Sequence, residues 1–220
     1  YLNTILYAFC GTLIMLVCTA MLAYPLTYQT FALRKPLTVL LLITMFFGGG
    51  LIPSYLNIKE LGLYNTLWAL ILPSALSLYN AIITKTAMQN IPESLTESAY
   101  IDGANDPVIL VRILLPLIGP TLAVMALYYG VGQWNSWFAA TIYLSDNSKL
   151  PIQAVLRAIL IANESILDTG MEVAGATLEN SYAETIKYAV ILISTVPILL
   201  VYPFLQKYFV NGVMIGAVKG

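Results

Sequence analysis

Apolar residues fall into five long runs, and polar residues gather in the connections between them. The runs cover residues 2–28, 37–56, 64–88, 116–144 and 184–210. Each has the roughly 20 residues that an α-helix needs to cross the hydrocarbon core of a bilayer. The first, second and fourth carry no charge; Lys85 lies near the last turn of the third, and Lys187 and Lys207 mark the edges of the fifth. The pattern predicts an all-α polytopic membrane protein with five spans visible. Prolines and glycines interrupt it: Gly48-Gly49-Gly50 and Pro53 in the second run, Pro73 in the third, Pro120, Gly130 and Gly132 in the fourth, Pro197 and Pro203 in the fifth. Such residues mark kinks in helices that line a path or close packing between helices, and the pattern leaves both open.

Composition agrees with a bilayer as solvent. The 220 residues are 59% hydrophobic and 10% charged, with a mean hydropathy of +0.81, whereas soluble domains are about 25% charged. A net charge of −1 gives no basic field for nucleic acid. Histidine is absent, which excludes His-based triads, general bases and metal ligands. Cys10 and Cys18 share one run, about 12 Å apart along a helix. That is too far for a disulfide within the segment, and they read as small buried or lipid-facing thiols. The sequence opens on Tyr1, not Met, without a signal-peptide n-region. It therefore reads as starting inside a longer chain, with an N-terminal segment before it.

The connections are 29–36, with Arg34-Lys35; 57–63, with Lys59-Glu60; the long polar segment 89–115; and the longer 145–183, with five acidic residues. Alternating sides puts Arg34, Lys35, Lys85, Arg112, Lys207 and Lys219 together, against Lys59, Lys149, Arg157 and Lys187. The positive-inside rule then places the Arg34-Lys35 side, with segment 89–115, in the cytoplasm. Within 145–183, residues 150–161 read as a helix on or in the membrane surface, an ordered first part. The acidic stretch 164–179 reads as exposed, able to face an extracellular partner.

Segment 89–115 is punctuated. Pro92 suits a first helical position and Glu93 complements a helix N-terminus. Gly103 suits the left-handed residue after a C-cap. Asp106-Pro107 restarts as an acidic N-cap followed by proline, and a second short helix runs from 108 to 115. Helix, glycine turn, helix is a shape suited to receiving force from another subunit or to capping the bundle at the membrane surface. Spacing alone leaves both readings open.

Here the residues carry a resemblance. Glu97-Ser98-Ala99-Tyr100-Ile101-Asp102-Gly103-Ala104, followed by Ile113-Leu114-Leu115-Pro116 and Pro120, resembles the EAA loop of ABC-importer permeases, with Ser98 at the family's first alanine. Gly62-Leu63-Tyr64-Asn65-Thr66-Leu67-Trp68, Trp134-Asn135-Ser136-Trp137-Phe138 and Gly216-Ala217-Val218-Lys219-Gly220 resemble the MalG-like carbohydrate-uptake subgroup. The long 145–183 insertion is more similar to oligosaccharide permeases of Gram-positive bacteria. The resemblance covers essentially the whole chain. It implies a type I ABC importer transmembrane domain: a single permease domain over 1–220, a sixth span before Tyr1, a cytoplasmic coupling loop at 89–115 and an extracellular loop at 145–183. The location it implies is the bacterial cytoplasmic membrane.

The resemblance also implies roles. Residues Glu97, Ser98, Ala99, Asp102, Gly103 and Ala104 would form the coupling helix and its turn. Glu97 would meet basic residues of an ATPase subunit, Ala99 and Gly103 would allow close approach, and Asp102 would cap the turn. Partners would be a second homologous permease, two ATPase subunits and an extracellular solute-binding lipoprotein, with no nucleic acid. The chain has no phosphate-loop lysine motif, so no cofactor is expected in it; ATP and Mg would sit in the ATPases. A sugar offers hydroxyl edges and apolar faces, which call for aromatic and amide side chains. Trp134, Asn135, Trp137 and Phe138, with Tyr79 and Asn80 in the third run, supply both and are the expected substrate path; interfacial belts and interhelical contacts are the competing readings. The span interiors lack the ionisable groups usual in ion-coupled transporters. No Ser-His pair or intramembrane carboxylate dyad exists for an enzyme. An ABC permease for a non-sugar solute is the alternative, disfavoured by the Trp134–Phe138 cluster and the 212–220 tail.

Overall fold

The computed structural model describes residues 1–168, 185–200 and 203, and helix is the regular structure among them. The helices are α1 (Leu2–Thr27), α2 (Arg34–Phe46), α3 (Leu51–Glu60), α4 (Trp68–Ile71) and α5 (Leu78–Gln89). They continue as α6 (Glu93–Ile101), α7 (Asp106–Leu117), α8 (Gly119–Trp134), α9 (Trp137–Tyr143), α10 (Ile152–Asp168) and α11 (Thr185–Leu200).

Helix α1 is the unbroken one. Its 26 residues rise about 39 Å. Among the described residues it alone is long and apolar enough to cross a membrane by itself. Thr4, Tyr7, Gly11, Met15, Thr19, Ala23 and Leu26 are buried, every third or fourth position. Ile5, Phe9, Leu13, Val17 and Met21 form the exposed stripe, four apart. Thr4, Gly11, Thr19 and Ala23 give the inward face small residues that permit close helix contacts, while the outward stripe is made of large apolar side chains that lipid accepts.

The second, third and fourth runs are broken where the sequence suggested single spans. Run 37–56 becomes α2 and α3, bent by 114°, with Gly50 at φ +86° in the break. Its glycines lack the Cβ that would hold the helical path. Run 64–88 becomes α4, a 3-10 turn over Leu72–Ser74 around Pro73, and α5. Proline removes a donor from the helical ladder, and Ser77 restarts the helix as an N-cap that accepts the N–H of Asn80. Run 116–144 divides at Asn135 and Ser136 into α8 and α9. Its first residues belong to α7, which meets α8 at 86°. The fifth run is described as α11 and Pro203; the rest of it, the tail 212–220 and the side chains of 164–179 lie outside the described residues.

Helix α1 packs along α8 and α5. Met15 meets Met125 and Tyr129 at mid-length, and Ala23 meets Met88 and Ile118 lower down. Toward its N-terminus, Tyr7 joins Leu70, Tyr143, Leu144 and Ala154. Gly11 permits the closest approach: a Cβ there would stand 3.0 Å from Gln133 Cγ.

Residues 145–152, which open the long connection, are held by α1 and Asn65, and the expected helix over 150–161 begins within them at Ile152. Asn3 Nδ2 donates to Ser148 O at 2.6 Å and Tyr7 Oη to Lys149 O at 2.7 Å. Thr4 Oγ1 accepts the N–H of Ile152 at 2.8 Å, capping α10 from a different helix. Asn65, at φ +59°, accepts the N–H groups of Ser145 and Asp146, both at 3.2 Å. Its own carbonyl accepts Lys149 Nζ at 3.0 Å. The side chain that bridges also tolerates the left-handed backbone, which asparagine does better than most residues.

Asn65→Ala is expected to cost about 1–3 kcal/mol through two unpaired N–H groups and a strained φ. Asn65→Gly relieves the strain and falls between Ala and the native residue. Thermal unfolding in detergent measures the order of the three.

Candidate functional site

The far end of α1 meets the segment that the sequence wrote as helix, turn, helix. Pro92 is the N-cap of α6 and Glu93 its first residue, one position later than expected. The C-terminus closes as a Schellman turn. Gly103 lies at φ +81°, its N–H donates to Tyr100 O at 3.0 Å, and the N–H of Ala104 donates to Ala99 O at 2.9 Å. A Cβ on Gly103 would touch nothing within 4 Å, so glycine is required here by backbone angle rather than by space.

The restart is capped by Asn105, not by Asp106: Asn105 Oδ1 accepts the N–H of Val108 at 3.2 Å. Asp106 is instead held by two tyrosines. Tyr24 Oη of α1 donates to Asp106 Oδ1 at 2.7 Å, and Tyr100 Oη of α6 donates to the same oxygen. Tyr24 also packs edge-on against Tyr28, with ring centroids 5.2 Å apart. One carboxylate therefore ties α1, α6 and α7 together. These hydroxyls, Tyr100 first and Tyr24 second, hold the Asp106 carboxyl below the ordinary carboxylate range. The bond to Asp106 in turn pushes the Tyr100 hydroxyl up. Tyr24 did not stand out in the sequence, and Asp106 stood out only as an N-cap; the signal available for Tyr24 was a polar aromatic near the end of an otherwise apolar run.

Ala99 is buried against Ile109 and Leu114, so this small residue serves packing inside the loop, and Ala104 sits beside it. Glu97, Ser98, Asp102 and Gly103 are exposed. Ile101 is 86% exposed, an apolar side chain with no cover among the described residues. Glu97 borders a cavity of about 550 Å³ between α6 and the end of α1, with Glu93, Gln29 and Gln89.

The expected substrate-path residues are dispersed. Asn80 is buried and lines a cavity of about 390 Å³ between α1, α5 and α8. Tyr79, one position earlier, is 57% exposed. Trp134 faces α11, where its Nε1 donates to Ser194 O at 3.2 Å, and it borders a separate apolar groove. Asn135 turns back to cap its own helix, donating to Val131 O at 3.0 Å. Trp137 carries the Arg157 guanidinium 4.4 Å above its ring and stacks edge-on with the exposed Phe138. Helix geometry explains the scatter, because neighbours in sequence point about 100° apart and the chain breaks at Asn135. The polar residue that sequence reasoning missed is Gln133. It is buried, and its Nε2 donates to Ser74 Oγ at 3.2 Å.

Comparison with known proteins decides the family. Residues 4–215 match the family described as the binding-protein-dependent transport system inner membrane component. The chain belongs to this family. It is similar to a polygalacturonan/rhamnogalacturonan transport system permease protein of Bacillus subtilis, 44% identical over 210 residues, which cover 96% of this chain and 73% of that protein. Protein LplC of the same organism is 45% identical over 212 residues, with 96% and 70% coverage. The crystal structure of a bacterial ABC transporter involved in import of the acidic polysaccharide alginate superposes with a TM-score of 0.83 at 35% identity. That match covers 95% of this chain and 74% of the other. The permease therefore has the type I ABC importer transmembrane fold. It is a membrane-embedded transport subunit rather than an enzyme, and it works with ATPase and solute-binding partners.

The folded-state value of Asp106 lies below the unfolded one. Its contribution is thus present above the ordinary carboxylate range and lost as pH falls through the lowered value. Amide-exchange protection across residues 100–108, corrected for intrinsic rates, is expected to fall over that acid window. Asp106→Ala should show the reduced protection already at neutral pH and no further acid-dependent drop.

Proposed function

We propose that this permease carries a carbohydrate, an oligosaccharide, across the bacterial cytoplasmic membrane by ATP-driven alternating access. The observation that carries the reading is the similarity, over nearly the whole chain, to a permease named for polygalacturonan and rhamnogalacturonan and to an importer of alginate. Its partners in this reading are a second, homologous permease, two ATPase subunits that hold ATP and Mg, and an extracellular solute-binding lipoprotein.

Helix α6 is the coupling helix. Its exposed residues Glu97, Ser98 and Asp102 meet the ATPase, with Glu97 opposite basic side chains, while Ala99 and Ala104 hold the helix on its loop. Gly103 sets the exit angle. Closure of the two ATPases is a rigid-body movement. The Schellman turn and the Asp106 clamp make α6, α7 and the end of α1 a single unit. A displacement of α6 is therefore delivered to α1 rather than absorbed in a slack loop. Residues 145–152 sit at the other end of α1 and form part of the extracellular loop.

Glu97→Lys places like charge against the basic ATPase surface, and Gly103→Val strains φ. Each is expected to cut ATPase co-purification and uptake by about tenfold, since 1.4 kcal/mol is one decade of binding. Unchanged assembly and uptake in both variants would remove the coupling assignment. Uptake of labelled trigalacturonate, arabinotriose and raffinose by the complete importer tests the cargo; transport of none of them by the native complex would overturn the carbohydrate reading.

A further inference from the structure

We propose that the cytoplasmic ends of α2 and α5 bind one anionic phospholipid, its phosphodiester held by Arg34, Lys35 and Lys85 and an acyl chain lying along the exposed face of α2. The proposal takes from the reading above only that α6 is cytoplasmic, and it is independent of the cargo.

A cluster of cations without an anion is the first support. Arg34 and Lys35 open α2. Lys85 lies on α5, toward the end that leads into α6, and α2 packs against α5. The Arg34 guanidinium stands close enough to Lys85 for its charge to act on the ammonium. Like charges held together are unfavourable unless an anion joins them. The described residues supply none. Segment 89–115 carries Glu93, Glu97, Asp102 and Asp106, and none of them pairs with the three cations; the ion pair among the described residues joins Lys149 to Asp146. Nor does any of the three donate a side-chain hydrogen bond among the described residues.

The faces of α2 are the second support. No residue of this helix is buried. Its partly covered positions, Arg34, Leu37, Thr38 and Leu41, recur every three or four residues and mark the face turned toward the rest of the chain. Arg34 is on that face, beside Lys85. Lys35 heads a neighbouring face, where Val39, Leu42 and Phe46 follow in line and are exposed. From Lys35 to Phe46 the helix rises about 16 Å, close to half of the roughly 30 Å hydrocarbon core. That is the depth of one leaflet. On α5, Ile82, one turn from Lys85, is exposed as well.

The chemistry of the ligand is the third support. A phosphodiester accepts a bidentate guanidinium and further ammonium groups at once, and Lys and Arg at the ends of spans reach the headgroup layer while their stems stay on apolar surface. An acidic side chain of a partner protein would answer the cations and leave the strip of Val39, Leu42 and Phe46 uncovered. Charge at one end and an apolar strip one leaflet long are answered together by a single phospholipid.

The test uses the complete importer in nanodiscs, which leave both leaflets open. Phosphatidylcholine is the bulk lipid, with a trace of phosphatidylglycerol carrying a photoreactive group on an acyl chain, and cross-linked peptides are located by mass spectrometry. In the native complex the label is expected on residues 39–46. Unlabelled phosphatidylglycerol should compete for it, and soluble glycerol 3-phosphate should not. Arg34→Gln, Lys35→Gln and Lys85→Gln should each lower labelling there about fivefold, the weight of one basic residue at an anionic membrane surface. Arg34→Lys should keep most of it, and Lys59→Gln, at the far end of the α2–α3 pair, should change nothing. Lys35 is exposed, so its variant serves if the other two fail to assemble. Equal labelling by a photoreactive phosphatidylcholine would reduce the contact to bulk lipid and overturn the site. Label that persists without the cations, or competition by glycerol 3-phosphate, would overturn it too. Loss of a partner subunit from the variants, with lipid preference unaltered, would assign the cations to a protein contact instead. None of these readouts uses transport, so their failure leaves the carbohydrate reading standing, and failure of that reading leaves the lipid site standing.

Discussion

The approach of α1 to α8 is the contact from which the rest of the described structure takes its position. Two helices in lipid gain no hydrophobic free energy by meeting, since lipid tails solvate their side chains as well as each other would. What remains is close packing and polar contact. Gly11 and Gly130 supply the first, admitting the Gln133 side chain and Thr12 respectively. The hydroxyl pair of Thr19 and Tyr129 supplies the second. With α1 fixed in this way, its N-terminal residues Asn3, Thr4 and Tyr7 hold residues 148–152, and Tyr24 near its C-terminus holds segment 89–115 through Asp106. One rigid rod therefore bears on both polar regions of the chain.

The breaks in the remaining helices have a complementary part. A helix satisfies its own backbone and can stand in hydrocarbon; an interrupted one exposes polar groups that need water or protein. Pro73, Ser77 and Ser136 sit where the interruptions face the polar cavity, so the exposed groups have neighbours suited to them. An unbroken helix for continuity and broken ones around a polar cavity are a division that alternating access can use, because a rod can transmit movement while breaks let a cavity change shape.

The membrane class, the boundaries of the apolar runs and the punctuation of segment 89–115 were legible in the sequence. Pro92, Gly103 and Pro107 act within a few residues of themselves, and local geometry decides their effect; the one-residue shift from Asp106 to Asn105 as cap arose because Asp106 had a stronger use, as acceptor for Tyr24 and Tyr100. The continuity of the spans was less legible. Hydropathy measures whether a segment can lie in lipid, and both a straight helix and a sharply bent pair satisfy it; Gly48-Gly49-Gly50 and Pro120 marked possible kinks near residues 47–50 and Ile118, but not bends of 114° and 86°.

The sequence by itself therefore determined the solvent, the helical class and the turn that shapes segment 89–115, since each follows from composition or from short-range backbone preference. The tertiary structure decided which polar residues share a site. Trp134, Asn135, Trp137 and Phe138 are adjacent in the chain and point in different directions. Gln133, Asn80 and Ser74 lie far apart in the chain, and they meet because a glycine on α1 lets two helices come close enough for one amide to fit between them.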